Sequence, residues 1–250
     1  MKRLIAMALL PLLVLVGCTG RNKIDDKKLI IGCSPSPHSE IAEFVKPIIE
    51  KEGYKVEIKV INDYVTPNLL LDQEDIDLNY FQHVPYLEDF NSKNNMSLTW
   101  ITKVHFEPMG IYSAHYTEIG WSKLKNAKIA VPNDTSNNER AMDLLNEKFG
   151  DNLSKFKIVE LEAQSLPSAL ADVDYAVING NYALESKITN KCIVTEDSQS
   201  DIALKMANVI AVKEKAKNLP WINVVKKAFT SEELKKYITE NYGSAVQAVF

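Results

Sequence analysis

The chain has 250 residues, of which 46% are hydrophobic and 25% charged, with a formal net charge of -4. That balance is ordinary for a globular protein and excludes a disordered or low-complexity chain. No lysine- or arginine-rich stretch points to a nucleic-acid partner, and no second long apolar run follows the N-terminal one.

The first residues carry Lys2 and Arg3, then an uncharged apolar run from Leu4 to Val16. Two cations, a short apolar core and small residues at a cut site are the anatomy of a secretory signal. The run falls short of the roughly 20 residues that cross a bilayer. Leu15-Val16-Gly17-Cys18 resembles the lipobox of bacterial lipoproteins, which implies cleavage before Cys18 and acylation of its thiol. Residues 1–17 are thus expected to be a signal peptide, and the polar residues 18–28 a lipid-anchored tether.

Lys28 to Gly32 then predicts a buried strand, and Cys33-Ser34-Pro35-Ser36-Pro37-His38 a turn-rich loop. Ile41, Val45, Ile48 and Ile49 share one helical face, with Pro47 expected to kink that helix and Gly53 to end it. Val56, Ile58 and Val60 alternate with charged residues, the pattern of a half-buried strand. The same grammar recurs later. Ala127 to Val131 predicts a strand, and Ser136-Asn137-Asn138-Glu139 matches a capping box that opens a helix continued by Ala141, Leu144, Leu145 and Phe149. Strands are expected at Lys157–Leu161 and Tyr175–Ile178 around a helix near Pro167 to Leu170, with a last strand at Asn208–Val212. Two closing helices follow, Trp221–Phe229 and Glu232–Asn241, the second opened by a capping box at Thr230 to Glu233.

Strands and helices alternate throughout, which predicts α/β architecture with largely parallel sheets. The two strand–loop–helix openings, near residues 30 and 130, suggest two similar lobes, with a ligand held where strand ends meet helix N-termini. The first lobe is expected over 29–112 and 199–250 and the second over 113–198.

No nucleophile motif, P-loop or dinucleotide fingerprint is present. His38, His83, His105 and His115 are scattered, none in a metal-ligand spacing, so neither a metal nor a cofactor is expected. Cys33 and Cys192 read as free, mostly buried thiols. Three clusters look like recognition instead. Pro132 to Arg140 sets a helix N-terminus, Asn137, Asn138 and Arg140 at a strand end, which suits an anion. The competing reading is an ordinary first turn with Arg140 in a surface ion pair. Asp77 to Tyr86 gathers Tyr80, Phe81, Gln82, His83 and Tyr86, either an aromatic wall for an apolar ligand or simply core. Asn179-Gly180-Asn181-Tyr182 suits an amino group or carboxylate, or is a plain turn.

With the lipobox, these clusters resemble the methionine-binding lipoproteins of the NlpA lipoprotein family, the substrate-binding components of ABC importers. The resemblance runs in order through GCSPSPHSEI (Gly32 to Ile41), DYVTPNL (Asp63 to Leu69), NYFQHVPYL (Asn79 to Leu87), HFEPMGIY (His105 to Tyr112), AVPNDTSNNER (Ala130 to Arg140), VELEAQSLP (Val159 to Pro167) and AVINGNYAL (Ala176 to Leu184). It implies a type II periplasmic-binding-protein fold, two α/β lobes with a cleft between them, and a ligand that is L- or D-methionine or a methionine-containing peptide. It implies that Arg140 binds the carboxylate, with Asn137 beside it. Asn179 and Asn181 would hold the polar backbone of the ligand, and Tyr64, Phe81, His83, Tyr86 and His105 would surround its side chain. The chain departs from the pattern at Cys33, at Asn138-Glu139 and in a shorter loop between Phe149 and Lys157.

The expectation is therefore a monomeric, lipid-anchored, extracytoplasmic protein, not an enzyme, that hands methionine to a permease and ATPase complex. The rivals are a surface adhesin with a vestigial pocket and an enzyme on the same fold.

Overall fold

The computed structural model describes residues 27–120, 127–198 and 201–250. The signal segment, Cys18 and the tether up to residue 26 lie outside the described residues.

Two sheets organise the chain. The first runs in the order β2-β1-β3-β10-β4-β11, from β1 (Lys28–Cys33), β2 (Lys55–Val60), β3 (Leu78–His83), β4 (Leu98–Phe106), β10 (Asn208–Lys213) and β11 (Gln247–Ala248). The second runs β7-β6-β8-β5-β9, from β5 (Gly110–Tyr112), β6 (Lys128–Pro132), β7 (Lys157–Leu161), β8 (Tyr175–Ile178) and β9 (Cys192–Thr195). The strand at Gly110–Tyr112 pairs with β8 and β9 in the second sheet, a few residues before the expected crossing after Tyr112. The outward crossover is therefore Glu107–Met109, and the return lies between Thr195 and Asn208.

The sheets are mixed rather than largely parallel. β1 pairs in parallel with β2 and β3, and β6 with β7 and β8. β10 runs antiparallel to β3 and β4, and β5 antiparallel to β8 and β9. The cause is the route of the chain. Strands that bring it into a lobe, β5 into the second and β10 back into the first, start from the crossover side, opposite to the strands of the βαβ units. The strand at Asn208 is not the last either, because β11 closes the sheet edge against β4.

Helices cover the sheets: α1 (Glu40–Lys51), α2 (Thr66–Asp72), α3 (Val84–Asn94), α4 (Thr135–Phe149), α5 (Leu166–Ala169), α6 (Gly180–Glu185), α7 (Ile202–Lys205), α8 (Trp221–Phe229) and α9 (Glu232–Tyr242). The first core joins Ile31, Tyr80 and Ile210 of the sheet to Ile41 and Val45 of α1 and to Phe229 of α8. The second joins Ile129, Val131 and Val177 to Leu144, Leu145 and Phe149 of α4. Helix α1 runs on through Pro47, which is exposed, so the carbonyl that its missing N–H leaves free can face water. Gly53 follows the C-cap with φ +89°, a backbone angle that glycine adopts at little cost.

Both capping boxes are displaced. Helix α4 is capped by Asp134, whose Oδ1 accepts from the Asn137 amide at 3.0 Å, not by Ser136. Helix α9 is capped by Ser231, whose hydroxyl accepts from the Leu234 amide, not by Thr230. Asp, Ser and Thr are all competent caps, and the point where the preceding segment leaves extended geometry chooses among them. Arg140 consequently sits in the second turn of α4. Among the described residues no helix is long and apolar enough to cross a membrane.

A cleft between the lobes

The carboxyl ends of β3, β6 and β8 meet at one crevice, the position where open α/β sheets place ligands. There a small cavity of about 20 Å³ lies between the lobes, room for about one water molecule with the lobes in this arrangement. From the first lobe, Tyr64 follows β2, Phe81, Gln82 and His83 end β3, and Tyr86 stands in the first turn of α3. From the second, Asn137 and Arg140 come from α4, and Asn179, Gly180 and Asn181 from the junction of β8 and α6. Glu107 of the outward crossover and Asn208 at the start of β10 complete the wall.

Tyr64, Phe81 and Tyr86 form an aromatic corner, with ring centroids 5.8–5.9 Å apart. The Tyr86 hydroxyl donates to the Tyr64 carbonyl at 2.9 Å, which fixes the two rings together. His83 is the N-cap of α3, and its Nδ1 accepts from the Tyr86 amide at 3.2 Å. Nε2 must then carry the proton, and it donates across the cleft to Asn137 Oδ1 at 3.2 Å. The same Oδ1 accepts from Asn179 Nδ2 at 2.8 Å, while Asn137 Nδ2 donates to Asp134. Other bonds also cross between the lobes: Tyr64 to Asn181 Oδ1 at 2.6 Å, Tyr182 to the Asn62 carbonyl at 2.8 Å, and Lys93 to Thr135 Oγ1. The lobes are closed on each other.

Two buried amide atoms of this wall have no hydrogen-bond partner among the described residues, Asn179 Oδ1 and Asn181 Nδ2. One is an acceptor and the other a donor, and buried polar atoms of this kind are costly unless something satisfies them.

Arg140 is 4% exposed, so its ion pair is a buried one rather than the surface pair that was the alternative reading. Its Nε and Nη2 donate to the two carboxylate oxygens of Glu196 at 2.7 and 2.5 Å, and Nη2 also reaches the Glu107 carbonyl at 2.9 Å. Glu196 in turn accepts from the Met109 amide at 2.7 Å, and its own amide donates to the Met109 carbonyl. The arginine thus joins α4 to both crossovers. Its Nη1 takes part in none of these bonds, and Arg140 lines the cavity.

His105 does not line the cavity. It is fully buried in β4, where Nε2 donates to Glu107 Oε1 at 2.6 Å and Nδ1 accepts from the Tyr80 hydroxyl. His38 donates to Asn208 Oδ1 at 3.1 Å and stands 3.6 Å from the same Glu107 oxygen. Burial pushes the pKa of His38 down to about 4 and those of His83 and His105 to about 3. Burial raises that of Glu107. His38, His105 and Glu107 bring three potential metal donors within 4.8 Å. The 2.6 Å contact between His105 and Glu107 is that of a hydrogen bond. His115 lies apart, exposed, near the Ala171 carbonyl.

The expected residues Tyr64, Phe81, His83, Tyr86, Asn137, Arg140, Asn179 and Asn181 thus converge on one cavity, and His105 stands behind it. The sequence does not mark Gln82, Glu107, Gly180 or Asn208 as ligand contacts. Gln82 was visible within its cluster, and a buried amide cluster with Asn68 and Asn79 holds it in place. Glu107 and Asn208 lie far apart in sequence, and only the antiparallel pairing of β4 with β10 unites them.

A family model described as NlpA lipoprotein matches residues 29–150 and 146–250. The chain is 32% identical to the D-methionine-binding lipoprotein MetQ of Salmonella typhi over 251 residues, 91% of this chain and 90% of that one. Among solved structures it is similar to a nutrient binding protein from Burkholderia cenocepacia bound to methionine, with TM-score 0.82 and 35% identity over 89% of this chain and all of that one. It is also similar to lipoprotein Tp32 from Treponema pallidum, with TM-score 0.81 and 30% identity over 90% of this chain and all of that one.

Proposed function

The chain belongs to the NlpA lipoprotein family, and on that premise we propose that it is an extracytoplasmic, membrane-anchored binding protein that captures methionine and delivers it to an ABC importer. The observation that carries the reading is the cavity itself, where side chains of both lobes hydrogen-bond to one another around an aromatic corner, an arginine and two unsatisfied amides. Tyr64, Phe81 and Tyr86 suit a thioether side chain, for which sulfur–aromatic contact is favourable. Arg140 Nη1 and Asn181 Nδ2 suit a carboxylate. A ligand touching both lobes favours their closed arrangement by the free energy of those contacts. His83 and Asn137 serve as the bridge between lobes, and His105 as support for Glu107. The relatives are named for binding, and no reaction on the ligand is proposed. The protein works as a monomer, held at the membrane by acyl chains on Cys18.

Binding raises the melting temperature by mass action. L- or D-methionine is expected to raise it, and glutamate and lysine to leave it unchanged, because a dry aromatic pocket penalises a charged side chain. A larger shift with either charged amino acid than with methionine overturns the assignment.

A further inference from the structure

We infer that Asn68, Asn79 and Gln82 are positioning residues for the aromatic corner: their buried amides fix the start of α2 on β3 and so set Tyr64 against Phe81 and Tyr86. The inference rests on the methionine reading and adds to it the group that holds the side-chain wall in place.

Asn68 stands in the first turn of α2, and Asn79 and Gln82 lie in β3. Asn68 and Asn79 are fully buried, and Gln82 is 3% exposed. Gln82 Nε2 donates to Asn68 Oδ1 at 2.7 Å and to Asn79 Oδ1 at 2.9 Å, and Gln82 Oε1 accepts from Asn68 Nδ2 at 2.9 Å. Asn79 Nδ2 donates to the same Asn68 Oδ1 at 2.8 Å and to the Pro67 carbonyl at 3.3 Å. The three amides thus close on one another and on the backbone of α2. Among the described residues no buried atom of theirs lacks a partner, in contrast to Asn179 and Asn181 across the cleft. Gln82 lines the cavity, but both its N–H groups are engaged within the lobe, so it has no donor left for a ligand.

Stability alone does not call for this arrangement. Hydrogen-bonded partners in a core can be exchanged together for apolar groups of the same shape with little net effect. An amide network adds direction instead. Inverting one amide sets donor against donor, so a single placement of α2 satisfies all three. Apolar packing in the same place loses a unique arrangement before it loses stability. The placement carries over to Tyr64 through the turn that leads into α2. There Asp63 Oδ1 accepts from the Val65 and Thr66 amides at 2.8 and 2.6 Å, and Tyr64 lies inside that turn. Its ring centroid stands 5.8 Å from that of Phe81, the β3 neighbour of Gln82, and its hydroxyl donates to Asn181 of the second lobe. A shift of α2 along β3 therefore moves the ring against Phe81 and away from its partner across the cleft.

The test is a double-mutant cycle, read by calorimetric titration of the mature protein with L- and D-methionine. One arm replaces the whole network by apolar side chains (Asn68→Leu, Asn79→Leu and Gln82→Met together), the other is Tyr64→Leu, and the last protein combines them. The network variant is expected to fold with a melting temperature near that of the wild type and to bind the preferred enantiomer about tenfold more weakly. In the Tyr64→Leu background it is expected to weaken binding no further. Gln82→Met alone is expected to repeat the pattern with a smaller loss. Ile238→Val, in the core of the same lobe, is expected to lower the melting temperature and leave the affinity unchanged. Unchanged affinity in the folded network variant overturns the inference. So does weakening by the same factor with and without the Tyr64 ring, or failure of both the network variant and Gln82→Met to fold, since the amides would then serve the fold itself. No binding of either enantiomer by the folded wild type overturns the methionine reading, and the inference with it.

Discussion

Glu196 holds Arg140 at two points, Oε1 on Nε and Oε2 on Nη2, with both side chains 4% exposed. The guanidinium fork is therefore filled by the protein, and under the proposed function a ligand carboxylate would have to meet the nitrogen that Glu196 leaves free. Arg140→Ala should weaken methionine binding by roughly 30-fold or more. It should also destabilise the fold by about 3–5 kcal/mol, because Glu196 would be left buried and unpaired. The double variant Arg140→Ala with Glu196→Ala separates the two effects. Its melting temperature should recover toward wild type while its affinity for methionine does not. Near-wild-type affinity in a folded Arg140→Ala protein would place the carboxylate elsewhere.

Gly180 abuts the outward crossover. An added Cβ would lie 2.8 Å from Glu107 Cβ and 3.3 Å from the Pro108 carbonyl, which is backbone and cannot swing aside. Overpacking of this kind costs about 1–3 kcal/mol. Gly180→Ala should therefore lower the melting temperature and reduce methionine affinity about tenfold, both readable by calorimetry. An unchanged affinity would mean that the crossover yields without disturbing the wall.

Acid should unfold the protein through its buried histidines. The pKa values of His38, His83 and His105 are depressed in the fold to about 4, 3 and 3, against about 6.5 unfolded. The unfolded chain then binds more protons below pH 6.5, so stability is full above that value and is lost as pH falls toward the folded pKa values. Each such histidine contributes a slope of up to about 1.4 kcal/mol per pH unit. Glu107, raised by burial, acts with the opposite sign: its contribution is present below its unfolded pKa and is lost as pH rises. The two oppose each other just above the usual carboxylate range, and the fall in melting temperature should be steepest below it. A His83→Asn variant should show a shallower decline, and a pH-independent melting temperature between 7 and 4 would contradict the buried, neutral assignment.

Cys18 precedes the described residues, and its role is read from the sequence alone. Cys18→Ala should move the protein from the detergent phase to the aqueous phase in a phase-separation extraction. Equal retention of the variant would show that something other than acyl chains holds it.

The elements that sequence revealed best are those specified locally. Lys55–Val60 alternates, Trp221–Phe229 carries an apolar stripe, and both occur where the pattern puts them. Caps were misplaced by one or two positions because neighbouring residues compete on equal chemical terms, as Asp134 does with Ser136. The antiparallel pairing of β10 was hidden because no local pattern records which way a returning strand arrives. His105 was misassigned for a related reason. Its motif places it beside the crossover, but in the fold it faces Tyr80 while Glu107, two residues on, meets the cavity. β4 ends at Phe106, so Glu107 lies past the strand where the backbone turns into the crossover, and no local pattern records that turn.

Asn179 Oδ1 and Asn181 Nδ2 have a consequence for traffic at the membrane. Lobes that close on nothing leave both atoms without partners, at about 1–3 kcal/mol each. Each unsatisfied atom thus makes vacant closure rarer by about one to two powers of ten. An importer that inspects only whether the lobes are shut would then be reading cargo, and unloaded carriers, however abundant, would seldom present the shape that invites docking. Two amide groups, one seeking a proton and one offering protons, would act as the proofreading step of delivery.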